Sequence, residues 1–151
     1  MTSRRTAVPA DAAQLLVLTE FLREFGSAAA LPPTQVGTLE LALEEIFLNI
    51  VMHGSEPGGT PQVEVSVTLE SDAVTLTVED DGPQFDPLSL PPPDVTVSLA
   101  DRKVGGLGVF LVRNLMDTVN YARVAGRNQL RMSKRLDGSS GHPRAAGEEI
   151  A

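Results

Sequence analysis

A run of almost unbroken apolar sequence, LALEEIFLNIVMHG at 41–54, constrains the fold of this chain more than any other feature. Its periodicity predicts a helix that begins with Thr34 as the N-cap and ends at His53. Two polar residues four positions apart, Glu45 and Asn49, lie on a second, otherwise apolar face, so this face is not an ordinary solvated one. The first face should lie on a sheet and carries Val36, Leu39, Leu43, Ile46, Phe47 and Ile50.

The Glu45–Asn49 pair admits two interpretations from the residues alone. The simpler one is a contact between two side chains one turn apart on the helix surface. The other is a functional site, because a partly desolvated glutamate can act as a general base. An asparagine oxygen can likewise complete the shell of a Mg²⁺ ion that phosphates already hold. His53, one turn further on, is expected to be a helix-terminal cation or a satisfied buried group.

The other periodic segments indicate the fold class. They predict a helix at 10–25, a hairpin of strands at 62–69 and 74–78, a helix at 107–117 and a second strand pair at 118–124 and 128–136. Strands joined as hairpins favour an α+β two-layer sandwich, in which helices pack on one face of a mixed, mostly antiparallel sheet. We expect a single domain over 1–136 and a disordered tail at 137–151.

Composition excludes several classes of function. The net charge is −8 and the 151 residues include only one Tyr and five Phe, which is not the electrostatic footprint of a nucleic-acid binder. The chain has no cysteine, so disulfides and thiolate metal sites are excluded. It also has no apolar run long enough for a membrane helix and no apolar leader segment, so we expect a cytoplasmic protein.

The segment VEDDGPQFDP at 78–87 places acidic residues where an apolar strand ends. One interpretation is an acidic turn that leads into a long loop, 80–105. The alternative is a binding site in which Asp80 accepts a hydrogen bond from an exocyclic amino group such as that of adenine. Gly82 would let a flat ring approach the backbone, and Phe85 would line the pocket or anchor the loop.

Three glycines, Gly105, Gly106 and Gly108, precede or begin the third predicted helix. Free N–H groups at a helix N-terminus suit an anion such as a polyphosphate, although glycines also occur at helix ends without any ligand. The segment lacks the Walker pattern and follows a loop rather than a strand. Neither a P-loop nor a dinucleotide-binding turn is therefore predicted.

In this order, the three segments resemble the ATP-binding domain shared by DNA gyrase, the ninety-kilodalton heat-shock chaperone, sensor histidine kinases and the mismatch-repair ATPase. EIFLN resembles the N box of that domain, DDG its D-x-G box and GGLG its later glycine box. Within the superfamily, EEIFLNIVMHG and VEDDGPQFDPL look like the anti-sigma-factor serine kinases of bacterial partner-switching modules. The resemblance covers about 10–136 and implies a Bergerat-type ATP-binding fold.

The resemblance implies a role for each matched position. Glu45 would take the proton from a seryl hydroxyl of a protein substrate, Asn49 would ligate Mg²⁺, and Asp80 would hold the adenine amino group. An ATP lid is implied at about 86–104, with Arg102 as the nearest candidate for a phosphate-gripping arginine. Further nucleotide contacts are implied for Gly82, Phe85, Gly105, Gly106, Leu107, Gly108 and Gln129, the last of which stands where the family often has a threonine.

The leading prediction is an ATP- and Mg²⁺-dependent protein serine kinase. It would bind a sigma factor or similar regulator and phosphorylate a serine of an antagonist protein, with neither nucleic acid nor membrane as a partner and a homodimer left open by analogy. A catalytically silent ATP-binding module of the same fold is the alternative. It is motivated by Gln129 and by the lack of an obvious phosphate-gripping arginine in the implied lid. A histidine kinase domain fits less well, since His53 and His142 are the only histidines and no phosphoacceptor helix pair is predicted. A plain α+β interaction domain is the last option.

Overall fold

The computed structural model describes residues 1–54, 59–89 and 106–136, with the backbone alone at 106 and 107. Short 3-10 turns at Ala12–Gln14 and Pro87–Ser89 lie between the main elements of this part of the chain. The main elements are, in chain order, β1 (Thr2–Pro9), α1 (Leu15–Ala28), α2 (Pro33–His53), β2 (Gln62–Glu70), β3 (Ala73–Asp80), α3 (Gly106–Leu115), β4 (Thr118–Val124) and β5 (Arg127–Arg135).

The strands form one sheet in the order β1-β2-β3-β5-β4. Every pair of neighbouring strands in the described residues is antiparallel, so the predicted sandwich is confirmed and its sheet has no parallel pair. The connection from β3 through α3 to β4 places β5 directly against β3. This arrangement brings the end of β3 next to the start of β5, where Asp80 pairs with Asn128.

The core lies between the helices and one face of the sheet. Alternation along the strands turns every second residue of β2, β3 and β5 toward the helices, and these residues are buried. They meet the apolar stripes of α1 and α2 in one cluster. Its largest fully buried side chains include Leu18, Leu22, Phe25, Leu39, Leu43, Phe47, Val63, Val65, Val67, Val74, Leu76 and Met132.

The sequence analysis missed β1, which pairs with β2 at the edge of the sheet. The segment TSRRTAVP buries only Val8, so it carries no alternating apolar pattern from which a strand could be predicted. Its identity as a strand depends on the partner strand rather than on its own side chains. Two arginines on an exposed edge are also typical of strands that must not pair with another chain.

The predicted N-cap of the second helix is wrong. Pro32 is the N-cap, with an extended backbone (φ −60°, ψ 142°), and Pro33 is the first helical residue. A proline is stable at that position because its missing N–H would have had no partner in the first turn. Thr34 lies inside the helix, where its carbonyl oxygen accepts a hydrogen bond of 3.1 Å from the Thr38 hydroxyl. At the other end Gly54 is the C-cap, as predicted.

The remaining boundaries differ from the predictions by a few residues. α1 continues past Gly26, which the sequence suggested as its stop, to Ala28. α3 begins at Gly106 and ends at Leu115, one and two residues before the predicted ends. The predicted tail at 137–151 and most of the predicted lid lie outside the described residues. In the part of the chain that the structure describes, no helix is long and apolar enough to cross a membrane.

Gly26 sets how closely α1 and α2 approach each other. It is buried inside α1, and a Cβ at this position would lie 2.5 Å from Cγ2 of Val36 on α2. Real side-chain carbons do not come this close, so a larger residue forces Val36 or the two helices to shift. Gly37, one residue further along α2, is exposed and has nothing within 4 Å of the position of its missing Cβ.

These two glycines are a matched test of the helix packing. Gly26→Ala should lower the free energy of unfolding by about 1–3 kcal/mol, because overpacking outweighs the gain in helix propensity. Gly37→Ala should raise it by about 0.5–1 kcal/mol, since alanine restricts the unfolded chain without meeting a neighbour. Urea denaturation of both variants measures the difference, and equal stabilisation by the two substitutions would contradict the packing described here.

Candidate functional site

The candidate site lies where α2 passes over the end of β3. Alternation along β3 turns Val74, Leu76 and Val78 toward the helices, and the same alternation brings Asp80 to that side, where it is 5% exposed. A carboxylate thus stands where the pattern would otherwise continue with a core residue. Such a group is stable only when hydrogen bonds replace its lost hydration.

The Asp80 carboxylate is held on one of its two oxygens. Oδ1 accepts hydrogen bonds from the Gly82 backbone N–H at 2.9 Å and from Asn128 Nδ2 at 3.0 Å. A Cβ at Gly82 would lie 3.0 Å from this oxygen and 3.2 Å from Cγ of Pro61, so a glycine fits the tight turn. Among the described residues, Oδ2 has no hydrogen-bond partner.

Asn49 lines the same pocket from α2 and is 4% exposed. Its Nδ2 donates a hydrogen bond of 3.1 Å to the Glu45 carbonyl oxygen, one turn earlier. Its Oδ1 is buried and has no partner within the described residues. Leaving a buried acceptor unpaired costs on the order of 1–3 kcal/mol, so the position of this oxygen favours a ligand that would coordinate or donate to it.

The described residues offer few ligands to a metal ion. The described residues contain no group of three or more His, Asp or Glu side chains that could hold a metal by themselves. Mg²⁺ in nucleotide sites takes most of its oxygens from phosphates and water and only one or two from the protein. The unpartnered Oδ1 of Asn49 fits a Mg²⁺ ion of this kind.

Glu45 is half-buried on α2, one turn before Asn49. Burial raises the pKa of its carboxyl above the ordinary value of 4.5, and the charge of Glu44 raises the pKa further. α3 comes so close to this side chain that a Cβ at Gly108 would collide with the Glu45 carboxylate. A larger residue at 108 would therefore force the Glu45 carboxylate to move from its present position. The raised pKa is typical of a general base.

Phe85 both lines the pocket and anchors the turn after β3, so its placement satisfies both interpretations from the sequence. Its ring stacks on His53, with centroids 4.3 Å apart and planes inclined by 21°. Its backbone N–H donates to Asn128 Oδ1 at 3.1 Å. His53, which was expected to be a helix-terminal cation or a satisfied buried group, thus forms one side of an aromatic stack at the C-terminal end of α2. Its Nε2 is buried without a partner among the described residues.

The pocket itself is mostly apolar with a few polar groups. α2 and the sheet supply most of the apolar walls, and Asn49, Asp80 and Asn128 are among the polar lining residues. The structure therefore brings together Asn49, Asp80 and Phe85, with Gly82 and Glu45 each adjacent to one of them. The lining residues are Ile46, Asn49, Ile50, Val78, Asp80, Phe85, Pro87, Tyr121, Asn128 and Leu130.

The structure does not bring Gln129 to this pocket. Its Nε2 donates a hydrogen bond of 2.6 Å to Glu79 Oε2 on the sheet face that the helices do not cover. Asn128, which the sequence analysis overlooked, occupies the pocket instead. The signal was available in the alternation of β5, since Leu130 and Met132 are its buried residues and Asn128 shares their parity.

The glycine box is only partly within the described residues. Gly105 lies outside them, as do Arg102 and Lys103. Gly106 begins α3, and Leu107 follows it in the helix. Gly108 is buried against Glu45, which places the first turn of α3 beside the N box of α2.

Comparison with known proteins identifies the family. A family model described as a histidine kinase-like ATPase domain matches residues 8–134, which is most of the chain. The chain therefore belongs to the histidine kinase-like ATPase domain family. This confirms the resemblance that the three sequence boxes indicated.

Several curated relatives carry kinase or anti-sigma names. Serine/threonine-protein kinase BtrW of Bordetella bronchiseptica is 32% identical over 96 residues, covering 64% of this chain and 68% of the relative. Serine-protein kinase RsbW of Halalkalibacterium halodurans is 36% identical over 92 residues, covering 58% and 56%. The anti-sigma F factor of Bacillus licheniformis is 29% identical over 94 residues, covering 61% and 64%. The matches thus span between about half and two thirds of these relatives.

A solved structure supports the fold. The crystal structure of the RsbU and RsbW domains of a Mycobacterium tuberculosis protein has a TM-score of 0.64 to this chain at 17% sequence identity. The match covers 90% of this chain and 33% of the other. At this identity the likeness bears on the fold alone, and it agrees with the five-stranded sheet and its layer of helices.

The raised pKa of Glu45 has a consequence for stability. Glu45→Gln should raise the melting temperature at neutral pH by about 1–3 °C, because the folded chain no longer holds a half-buried carboxylate charge. The pKa of Glu45 in the folded chain lies above its unfolded value of 4.5. The destabilisation by Glu45 therefore grows as the pH rises through the window between these two pKa values, and it is complete above the window. Below this window the Glu45 carboxyl is protonated in both the folded and the unfolded chain, so the wild type and Glu45→Gln should have similar melting temperatures.

Thermal melts of the wild type and of Glu45→Gln across this pH range measure the difference in melting temperature. Glu20→Gln is the matched control, because it removes one carboxylate from an exposed position of α1. A lower melting temperature for Glu45→Gln at neutral pH, relative to this control, would contradict the desolvation of Glu45.

Proposed function

We propose that this chain is an ATP-dependent protein serine kinase of the anti-sigma type. It would bind a sigma factor or similar regulator and phosphorylate a serine of an antagonist protein. The observation that carries the proposal is one pocket with two free acceptors, Asp80 Oδ2 and Asn49 Oδ1, and a glutamate of raised pKa one turn away. Such a set of groups matches adenine, a metal–phosphate group and a hydroxyl nucleophile respectively.

Adenine recognition is assigned to Asp80 and the apolar walls. The free Oδ2 would accept a hydrogen bond from the exocyclic amino group, which is stronger than a neutral bond because the acceptor is charged. Ile46, Ile50 and Phe85 offer apolar surface to the ring. Gly82 allows the base to approach the turn without a side chain in the way.

Asn49 and α3 are assigned to the phosphate end. Asn49 Oδ1 would ligate the Mg²⁺ that accompanies ATP, and this ion would supply charge neutralisation for the phosphates. The N-terminus of α3 lies beside Glu45, and its free N–H groups are suited to a phosphate. The phosphates would then lie between α2 and α3, close to the side chain that handles the nucleophile.

Glu45 is assigned to proton transfer. Its carboxylate would accept the proton of the substrate seryl hydroxyl while the seryl oxygen forms a bond to the γ-phosphorus. The bond between that phosphorus and the bridging oxygen breaks, and ADP leaves with the electron pair. A pKa raised by burial makes the carboxylate a stronger base, which suits this role near neutral pH.

The partners and the compartment rest on the relatives. Proteins named serine-protein kinase and anti-sigma F factor are similar to this chain over more than half of its length. A sigma factor as partner would place the protein in the cytoplasm, and the acidic net charge of −8 is compatible with a protein rather than a nucleic acid as the direct partner.

Phosphotransfer is tested with radiolabelled ATP, Mg²⁺ and purified candidate antagonists. The wild-type chain should form phosphoserine on one of them, and Glu45→Gln should reduce the rate by about 100-fold or more, the usual contribution of a general base. Glu20→Gln, which removes an exposed carboxylate, should transfer at the wild-type rate. Undiminished transfer by Glu45→Gln would remove Glu45 from the catalytic role. Thermal stabilisation by Mg·ATP without transfer to any antagonist would favour the silent binding module.

Nucleotide recognition is tested separately by calorimetry with Mg·ATP. Asp80→Asn should weaken binding by at least about 10-fold, because a neutral amide replaces the charged acceptor of the amino group. Asp81→Asn is the matched control, since Asp81 is exposed and its Oδ1 accepts from the Gln62 N–H at 2.8 Å, outside the pocket. Equal affinity of the two variants would contradict the assignment of Asp80.

A further inference from the structure

Asn128 joins three parts of the protein, and the function proposed so far gives it no task. It is 6% exposed and begins the buried row of β5. Its Nδ2 donates to Asp80 Oδ1 at 3.0 Å and to the Pro83 carbonyl oxygen at 2.8 Å. Its Oδ1 accepts from the Phe85 N–H at 3.1 Å and from the Tyr121 hydroxyl at 2.6 Å. Both hydrogens and both lone pairs of the carboxamide are therefore used.

The orientation of this amide follows from its partners. A carboxylate oxygen and a carbonyl oxygen can only accept, so the NH₂ group must face Asp80 and Pro83. The Phe85 N–H can only donate, so the amide oxygen must face it. A flipped amide would place oxygen against oxygen on one side and hydrogen against hydrogen on the other. Only one of the two amide orientations satisfies the network.

A second side chain from the same hairpin holds the turn. Asn128 is the register partner of both Asp80 on β3 and Arg123 on β4. Arg123 Nη1 donates a hydrogen bond of 3.0 Å to the Gly82 carbonyl oxygen. Groups from β4 and β5 thus bond to Asp80 at the end of β3 and to Gly82, Pro83 and Phe85 in the turn that follows, and the conformation of Asp80 depends on them.

The network also determines which polar groups remain open at the Asp80 end of the pocket. Both hydrogens of Asn128 and the hydroxyl hydrogen of Tyr121 are engaged, as are the N–H groups of Gly82 and Phe85. Among the described residues, the open group at this end is Asp80 Oδ2, an acceptor. An amino group on the base finds a partner there, whereas a carbonyl oxygen meets a carboxylate with no donor between them.

We propose that Asn128 is a positioning residue that sets the base specificity of the nucleotide site. It fixes Asp80 with one carboxylate oxygen free, and it engages the donors that could otherwise form a hydrogen bond to the carbonyl oxygen of a 6-oxo purine. The inference rests on the proposed ATP site and deepens it. Without the amide, Asp80 Oδ1 keeps only the Gly82 N–H as a partner, and the carboxylate is held less firmly. The 81–85 turn also loses two of its ties, and the selection of an amino group over a carbonyl should weaken.

The test compares ADP with IDP, which has a 6-oxo group in place of the 6-amino group and also carries a proton on N1. Wild-type protein with Mg²⁺ should bind ADP at least about 100-fold more tightly in calorimetry, because IDP leaves Asp80 Oδ2 facing an oxygen. Asn128→Ala should weaken ADP binding by about 10-fold or more and reduce the ADP-to-IDP preference by a similar factor. A merely structural loss would weaken the binding of both nucleotides equally and leave the ADP-to-IDP preference unchanged.

Gln129→Ala is the matched control. It removes the same carboxamide from the next residue, on the opposite face of the sheet, where its partner is Glu79. It should leave both affinities and their ratio within about threefold of wild type, as expected for a site outside the pocket.

Asn128→Asp is a second variant that preserves the shape of the side chain should the alanine variant fail to fold. It keeps the acceptor for the Phe85 N–H but replaces the two donors with an oxygen that faces Asp80. Two adjacent carboxylates cannot both ionise easily, so the ADP preference should be lost at alkaline pH. It should return in part as the pH falls and a shared proton restores one donor.

Amide hydrogen exchange supplies a readout without nucleotide. Protection of the 81–85 amides should fall in Asn128→Ala or Asn128→Asp and stay at the wild-type level in Gln129→Ala. Wild-type protein that binds neither nucleotide would overturn the proposed function together with this inference. Wild-type protein that prefers ADP, with the same preference and the same exchange protection in the Asn128 variants, would overturn the inference alone.

Discussion

A buried carboxylate at the end of the central strand is the constraint on which the rest of this site depends. Asp80 continues the inward row of β3, so it lies where water cannot solvate it, and the protein must supply hydrogen bonds instead. Gly82 and Asn128 supply them on one oxygen only. The glycine in the turn and the asparagine on β5 serve this requirement, and Asp80 lines the pocket with its second oxygen unbonded among the described residues.

α2 serves two surfaces at once, which explains its unusual apolar content. One face packs on the valine rows of the sheet and supplies Ile46 and Ile50 to the pocket, and the other receives α3 beside Glu45. Asn49 therefore lies buried at the pocket, and Glu45, one turn earlier, lies partly buried beside α3. Burial raises the pKa of one and leaves the amide oxygen of the other unpaired, and both effects are suited to a polar ligand.

Features set by local interactions were predicted from the sequence more accurately than features set by contacts between distant parts of the chain. Helices and strands with a clear period were found within a few residues of their observed ends, because period 3.6 and period 2 are local properties. β1 was missed because an exposed edge strand has no inward row of its own, and the capping role of Thr34 was wrong because two prolines start the helix earlier. Gln129 was assigned by motif position, whereas the strand places its side chain outside the pocket.

By itself, the sequence determined the two-layer fold class and the placement of Glu45 and Asn49 on one helix face, since a spacing of four residues has this result in any α-helix. It also determined that a carboxylate would end the apolar row of β3. Only the tertiary structure decided that Asn128 meets that carboxylate, because the register between β3 and β5 joins residues 48 positions apart and no local pattern specifies it. The free oxygens of Asp80 and Asn49 are likewise products of packing, because burial and hydrogen-bond partners exist only in the folded chain.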